Sequence, residues 1–348
     1  NLENSLELYA DVILNPAFPE NELERLRKNQ IAAIQREQVN PGAMVQRVLP
    51  TLMYGEGHAY ATPLSGTGTV ESVSALDVDD LKAFHDTWVR PNNATLLVVG
   101  DVSMDTLLPM LEDAFSRWES ADVPEKNLAT VRNREQPTIY IMNRPGAEQS
   151  IIATGHVVPP KSDFSDLAIE SMNQILGGGG FEARINMNLR EDKGWAYGAY
   201  TFMQDARGQR PWLAYAPVQT DKTTDSIAEL NREFDEFLGT RPATQDELNK
   251  NVRNSVNSLP GQYETANSVM GALLSNDRFG RPDDYVTTLK SQYESVDLEG
   301  VQGAAEQVVH PGNLTWLIVG DREQIEQQVR ELGLGEMQIL DTDGNPVE

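Results

Sequence analysis

Two stretches, PNNATLLVVGD at Pro91–Asp101 and PGNLTWLIVGD at Pro311–Asp321, share seven identities in eleven positions at an offset of 220 residues. Recurrence of that kind means two copies of one supersecondary unit. The match extends outward: VSALDVDDLKAFHDTWV (Val73–Val89) aligns with YESVDLEGVQGAAEQVV (Tyr293–Val309), and each predicts a helix leading into an apolar strand. Asp77 and Asp297 fall at equivalent positions for capping those helices. ELERLRKNQIAAI (Glu22–Ile34) matches ELNKNVRNSVNSL (Glu247–Leu259) at an offset of 225, so loop lengths differ while the order of elements holds.

The copies are unequal at the front. The second starts near Gln136 with strand-like TIYIM, a turn at RPGA and strand-like SIIATGHV, followed by a helical run DFSDLAIESMNQIL that GGGG ends. About ninety residues of it precede the helix DSIAELNREFDEFL, whereas the first copy opens directly at the corresponding helix, NSLELYADVIL. The first copy therefore lacks its leading strands and first helix. The chain is expected to be cut from something longer, because a sheet missing those strands exposes a long unpaired edge.

Helical stripes (Leu6, Tyr9, Ala10, Ile13) alternate with strand patterns at Thr95–Val99, Trp195–Met203 and Trp212–Val218, which makes the class α+β. The run Trp195–Thr220, broken by DARGQR, predicts a hairpin whose turn uses Asp205 and Gly208. A charged, proline-containing segment, ESADVPEKNLATVRNREQ, separates the copies. The expected division is a partial domain over 1–122, a linker over 123–135 and a complete domain over 136–348, whose tail MQILDTDGNPV turns back about Asp343 and Gly344.

Composition excludes several functions. Lysine plus arginine number 28 against 53 acidic residues, a formal charge of −25, so phosphate and anionic-lipid surfaces are repelled and no nucleic-acid partner is expected. Cysteine is absent, which removes disulfides, thiolate metal sites and cysteine nucleophiles together. No apolar run is long enough to insert into a membrane. His58, His85, His156 and His310 never fall at the i, i+4 spacing of a helical zinc pair, so no metal site is expected in this chain. There is no GxSxG elbow, and DTDGN lacks the spacing of a calcium loop.

LGGGGFEAR (Leu176–Arg184) lacks the Gly-Lys-Ser/Thr of a phosphate loop. Its glycines read first as a helix stop and a tight crossing. The other reading is that bare backbone groups at Gly178 and Gly179 face a bound chain. Downstream, FEARINMNLRED is helical in composition and places Arg190 near a helix C-terminus, where unpaired carbonyls favour a cation. Gly194 can supply the left-handed stop, and WAYGAYTFM opens a strand with Trp195, Tyr197 and Ala199 on one face. Arg190 and Tyr197 can then converge on one acceptor such as a carbonyl oxygen. Equally, Tyr197 can pack under the helix while Arg190 pairs with Glu191, Asp192 or solvent.

The run LGGGGFEARINMNLREDKGWAYGAY resembles the signature of the M16 zinc metallopeptidases, the group of insulinase, pitrilysin and the mitochondrial processing peptidase. ELYADVILNPAFPENELERLRKNQIAAIQRE, YGEGHAYATPLSGT and the repeat itself agree, so the resemblance covers essentially the whole chain. It implies repeated α+β domains of the LuxS/metallopeptidase-like type, with an antiparallel-rich sheet packed by helices, in two halves around a chamber. One half of such enzymes carries zinc on an HxxEH helix. The other carries an Arg/Tyr pair that holds substrate backbone and helps stabilise the oxyanion.

Carried over by position, that pair falls on Arg190 and Tyr197. The zinc ligands do not carry over: DLAIESMNQIL has no histidine, and the downstream glutamate falls near Ala33, with Glu24 and Glu37 close but not equivalent. The resemblance implies a noncatalytic, substrate-binding half that needs an HxxEH-containing catalytic half, in the same full-length chain or a partner subunit, to cleave peptide substrates. Zinc is expected only in that other half. The alternative is a peptidase-derived scaffold or binding module, as in the core subunits of the respiratory bc1 complex. Bacterial relatives carry secretory signals, so a periplasmic or exported location is expected.

Overall fold

The computed structural model describes residues 2–161 and 166–347. It groups into two compact units, each discontinuous in sequence: residues 1–34, 68–127 and 262–277 form one, and residues 35–67, 128–261 and 278–348 the other. None of the described helices is long and apolar enough to cross a membrane.

The first unit is helical. Its Leu2–Leu14 helix meets the Met104–Ala114 region through an edge-on contact of Tyr9 with Phe115, ring centroids 6.4 Å apart. Asp77 caps the Val78–Trp88 helix, accepting from the N–H groups of Asp79 (2.9 Å) and Asp80 (3.0 Å). The strand expected at Thr95–Val99 forms no ladder among the described residues, and Leu96 and Val98 are exposed. A strand forms only as paired hydrogen bonds: its counterpart in the second copy is a central strand held by a neighbour on each side, whereas none of the described residues pairs with Thr95–Val99.

The second unit is built on a seven-stranded sheet: β1 (Thr138–Asn143), β2 (Gln149–Val158), β3 (Tyr200–Met203), β4 (Arg210–Gln219), β5 (Thr315–Gly320), β6 (Glu336–Leu340) and β7 (Pro346–Val347). Their order is β3-β4-β2-β5-β1-β6-β7. β5 lies parallel to β1, with Ile141 opposite Ile318, and antiparallel to β2, with Ile152 opposite Ile318. β1 and β6 are also parallel, and the remaining pairs are antiparallel. β3 and β4 are the expected hairpin, and β6 and β7 the terminal one, with Gly344 at φ 88° in its turn.

Both faces of the sheet are covered, which is why its central strands are apolar at nearly every position. Ile139, Ile141, Ile152, Trp212, Trp316 and Ile318 face the helices Thr223–Leu238 and Leu298–Val308. Tyr140, Met142, Leu213, Leu317 and Val319 face Met44, Val45, Val48 and Leu49 of the Pro41–Tyr54 helix. Asp297 caps the Leu298–Val308 helix through the N–H of Gly300 at 2.8 Å, as Asp77 does for its counterpart. Asp297→Ala is expected to cost about 1 kcal/mol, read as a fall in the thermal midpoint.

His156 on β2 is buried between Trp212 (ring centroids 5.7 Å) and His310 (5.3 Å). Burial pushes its pKa down to about 4, a hydrogen bond to the Val157 carbonyl opposes that, and His310 adds to it. The unfolded chain takes up this proton near pH 6.5, the folded chain only near pH 4, so the unfolded state binds more protons between them. Stability is therefore expected to fall as pH drops through this window, by about 3 kcal/mol from this group alone. Urea unfolding at pH 7 and pH 4.5 checks it: His156→Phe flattens the dependence by one proton.

Candidate functional site: the glycine turn and the Arg190–Tyr197 pair

The Asp166–Asn173 helix runs into a wider π-helical turn, Gln174–Gly178, where the Gly179 N–H donates to the Gln174 carbonyl at 2.9 Å. Asp163 to Ser165, the start of the helix expected from sequence, lie outside the described residues. Such i→i+5 turns need a widened backbone, and bare glycines permit it. A Cβ on Gly177 would sit 2.6 Å from the Thr201 nitrogen and 2.8 Å from Ile185 Cδ1, so this glycine is the tight crossing of helix over β3. A Cβ on Gly178 would meet Asn173 Nδ2 at 2.7 Å, and Gly180 sits at φ 68°. The turn stays free of side chains until Phe181, which is 63 % exposed.

From Arg184 the chain is helical again, with a second π-helical stretch at Met187–Asp192. Gly194, at φ 65°, ends it as the sequence predicted, and the Trp195 N–H returns to the Leu189 carbonyl at 2.9 Å. Buried polar groups fix this segment. Asn188 Nδ2 donates to Glu233 Oε1 at 2.7 Å and to Glu229 Oε2 at 2.9 Å. Against the pull of burial, hydrogen bonds from Arg232 and Asn188 hold the Glu229 carboxyl below the usual carboxylate range. Arg184 makes a two-toothed pair with Glu247, Nε to Oε1 and Nη2 to Oε2, both at 2.7 Å.

The strand expected from Trp195 starts later. Its ladder begins at Tyr200, and residues 195–199 contribute only a bridge between Ala196 and Val218. Asn186 Oδ1 accepts the Ala199 N–H at 3.0 Å and diverts a donor that a ladder would use. The side chains consequently do not share a face: Ala199 is buried, while Tyr197 is 81 % exposed. That rules out packing of Tyr197 under the helix.

Arg190 and Tyr197 are side by side. The Arg190 guanidinium carbon lies 5.2 Å from the Tyr197 ring centroid and 4.3 Å from that of Phe181, while Nε faces Glu191 Oε1 at 3.3 Å. Among the described residues its two terminal nitrogens make no hydrogen bond. Rings against a guanidinium use its faces and leave its edge donors available. This cluster presents N–H groups and a phenol to an incoming oxygen. Phe181 was not foreseen; the only signal was an aromatic residue directly after a glycine run. The pairing of His156 with His310, 154 positions apart in sequence, had no signal at all.

The residues present do not fit a zinc ion. Leu167 to Ser171 offer a single carboxyl, Glu170, which burial pushes up and which accepts from the Tyr293 hydroxyl at 3.0 Å. Glu37 is bound to Arg47 at 2.8 Å and Glu24 to Arg27 at 3.1 Å. No three His, Asp or Glu side chains gather as a metal site among the described residues.

Residues 75–255, just over half of the chain, match the family model described as the peptidase M16 inactive domain. The non-peptidase homolog YmxG of Helicobacter pylori is 22 % identical over 316 residues, covering 90 % of this chain and 71 % of that protein. A protein named zinc protease YmxG of Bacillus subtilis is 24 % identical over 310 residues, covering 87 % and 72 %. The crystal structure of a peptidase M16 inactive domain from Pseudomonas fluorescens superposes with a TM-score of 0.83 at 22 % identity, covering 92 % of this chain and 75 % of that one. The chain belongs to the M16 peptidase family, in the class of its inactive domains.

Proposed function

We propose that this chain is the noncatalytic, substrate-binding half of an M16 peptidase, and that Arg190 and Tyr197 hold the backbone of a peptide supplied to a separate catalytic half. The observation that carries the reading is the exposed pairing of the two side chains, 5.2 Å from guanidinium carbon to ring centroid, with unused donors on Arg190. Gly178 and Gly179 lie three and two positions before Phe181, which contacts Arg190, and the absence of side chains along that turn would let an extended peptide approach it. Hydrogen bonds from the guanidinium N–H groups and the phenol would stabilise a carbonyl oxygen as it gains negative charge.

A second reading, a binding or scaffold module without proteolysis, draws on the name of one relative, the Helicobacter pylori non-peptidase homolog. One experiment separates the two. Peptide cleavage is measured for the chain combined with its HxxEH-containing half, native and with Tyr197→Phe. The peptidase reading expects kcat/KM to fall about tenfold, the value of one lost charge-assisted hydrogen bond. No cleavage by the combined halves leaves the scaffold, and unchanged kinetics in both Tyr197→Phe and Arg190→Ala removes the role assigned to the pair.

A further inference from the structure

The two copies of the repeat differ at one interior position in a way that creates a site. In the first unit, Arg27 of the Glu20–Glu37 helix reaches the end of the Val70–Ala75 helix and donates to three carbonyls: Nη1 to Val73 (2.8 Å) and Ser74 (2.8 Å), and Nη2 to Leu76 (2.6 Å). Glu24 pairs with it at 3.1 Å. Six of the elements of this arrangement recur in the second unit. Leu23, Glu24, Arg27, Val73, Ser74 and Leu76 become Leu248, Asn249, Val252, Tyr293, Glu294 and Val296.

The arginine is the part that is lost. Where its side chain would run, between the helices Gln245–Gln262 and Tyr285–Glu294, the second unit has an open groove of about 540 Å³ whose lining includes Leu248, Val252, Asn249, Glu294 and Val296. Among the described residues, the Glu294 and Val296 carbonyls, counterparts of two of the Arg27 acceptors, accept no hydrogen bond. The charge has also moved with the loss. Glu24 becomes neutral Asn249, while Ser74 becomes Glu294, so a carboxylate is kept on the opposite wall.

We propose that this groove binds the arginine side chain of a second polypeptide. Its guanidinium would take the place of that of Arg27, donating to the Glu294 and Val296 carbonyls beside the Glu294 carboxylate, with its stem on Leu248 and Val252. A helix C-terminus carries negative partial charge, and the chain as a whole is strongly acidic, so both near and distant fields attract a cation. Two cations line the groove as well. Lys290 is already paired with Glu294 at 4.0 Å. Arg253 corresponds to Lys28, which stands beside Arg27 in the first unit without displacing it. The planar fork of arginine carries five donors and can serve two carbonyls and a carboxylate at once, whereas the ammonium of lysine is a compact point charge.

The test uses the whole chain and N-acetyl-L-arginine amide as probe, with the lysine and citrulline amides as controls, followed by saturation-transfer NMR. Saturable binding of the arginine probe at roughly millimolar concentration, at least about tenfold tighter than either control, is expected. Val252→Arg restores the first-copy arrangement from within: probe binding should weaken at least about tenfold while the thermal midpoint does not fall. Should that variant not fold, Val252→Leu narrows the groove and is expected to weaken binding in the same sense. Equal binding of arginine and lysine amides, absence of saturation, or undiminished binding by the folded Val252 variants overturns the proposal. Because neither Arg190 nor Tyr197 lies in the groove, failure here leaves the peptide-binding reading untouched.

Discussion

Replacing Arg190 by alanine is expected to lower kcat/KM of the completed peptidase by about 10²–10³, mostly in kcat, which is the range for losing one preorganised oxyanion donor. The effect is large because the donor is held in advance. Its guanidinium lies over the rings of Phe181 and Tyr197, and its helix is tied down through Asn188 to Glu229 and Glu233. On the proposed reading, a substrate oxygen would meet N–H groups that need no reorganisation. Arg190→Lys retains the charge but not the flat fork, so it should recover only part of the rate. The control for folding is built in: Arg190 is half-exposed and its one ion pair, with adjacent Glu191, is weak, so the thermal midpoint should move little. A rate loss with an equal loss of stability would instead place Arg190 in the architecture.

The second large effect concerns stability. Arg210 at the start of β4 is almost fully buried and bonds Asp166 at 2.5 Å and Asp205 at 2.9 Å. Lys161 (3.5 Å) and Arg281 (3.7 Å) also approach Asp166, and Lys161 pairs with Asp205 as well. Arg210→Ala strands a buried carboxylate, a change that typically costs about 3–5 kcal/mol. The lower end is expected because Lys161 and Arg281 remain beside Asp166. Urea unfolding of the chain measures it. Arg210→Met combined with Asp166→Leu should be less damaging than Arg210→Ala alone, since the two closest charges are removed together and Lys161 keeps Asp205. This network joins the hairpin turn to the first turn of the Asp166–Asn173 helix, and that helix leads into the glycine turn. Its loss should therefore reach the Arg190 site indirectly.

Much of the fold was legible because it is written in short-range pattern. The repeat located β5 and the helix before it, and Asp77 and Asp297 marked both caps. The glycine after LREDK marked the end of a helix, and Gly194 does adopt the left-handed conformation. The strand at Thr95–Val99 was misread for an instructive reason. Its apolar pattern is genuine, but a strand exists only as paired hydrogen bonds, and none of the described residues pairs with it, whereas its counterpart β5 is held by β1 and β2. The strand from Trp195 failed differently, because the Asn186 side chain captured a backbone donor that a ladder would have used.

The α+β class, the absence of a histidine zinc motif and the candidacy of Arg190 and Tyr197 are readable in the sequence, since each rests on spacing within a few turns of chain or on similarity of whole segments. Only the tertiary structure decided that Tyr197 is exposed rather than packed, that Phe181 lies over the Arg190 guanidinium, and that His156 is buried against His310. It also decided that Val252 leaves a groove where Arg27 fills one. These are contacts between side chains brought together by packing, and burial, reach and hydrogen-bond geometry are properties of the folded neighbourhood that no local pattern encodes.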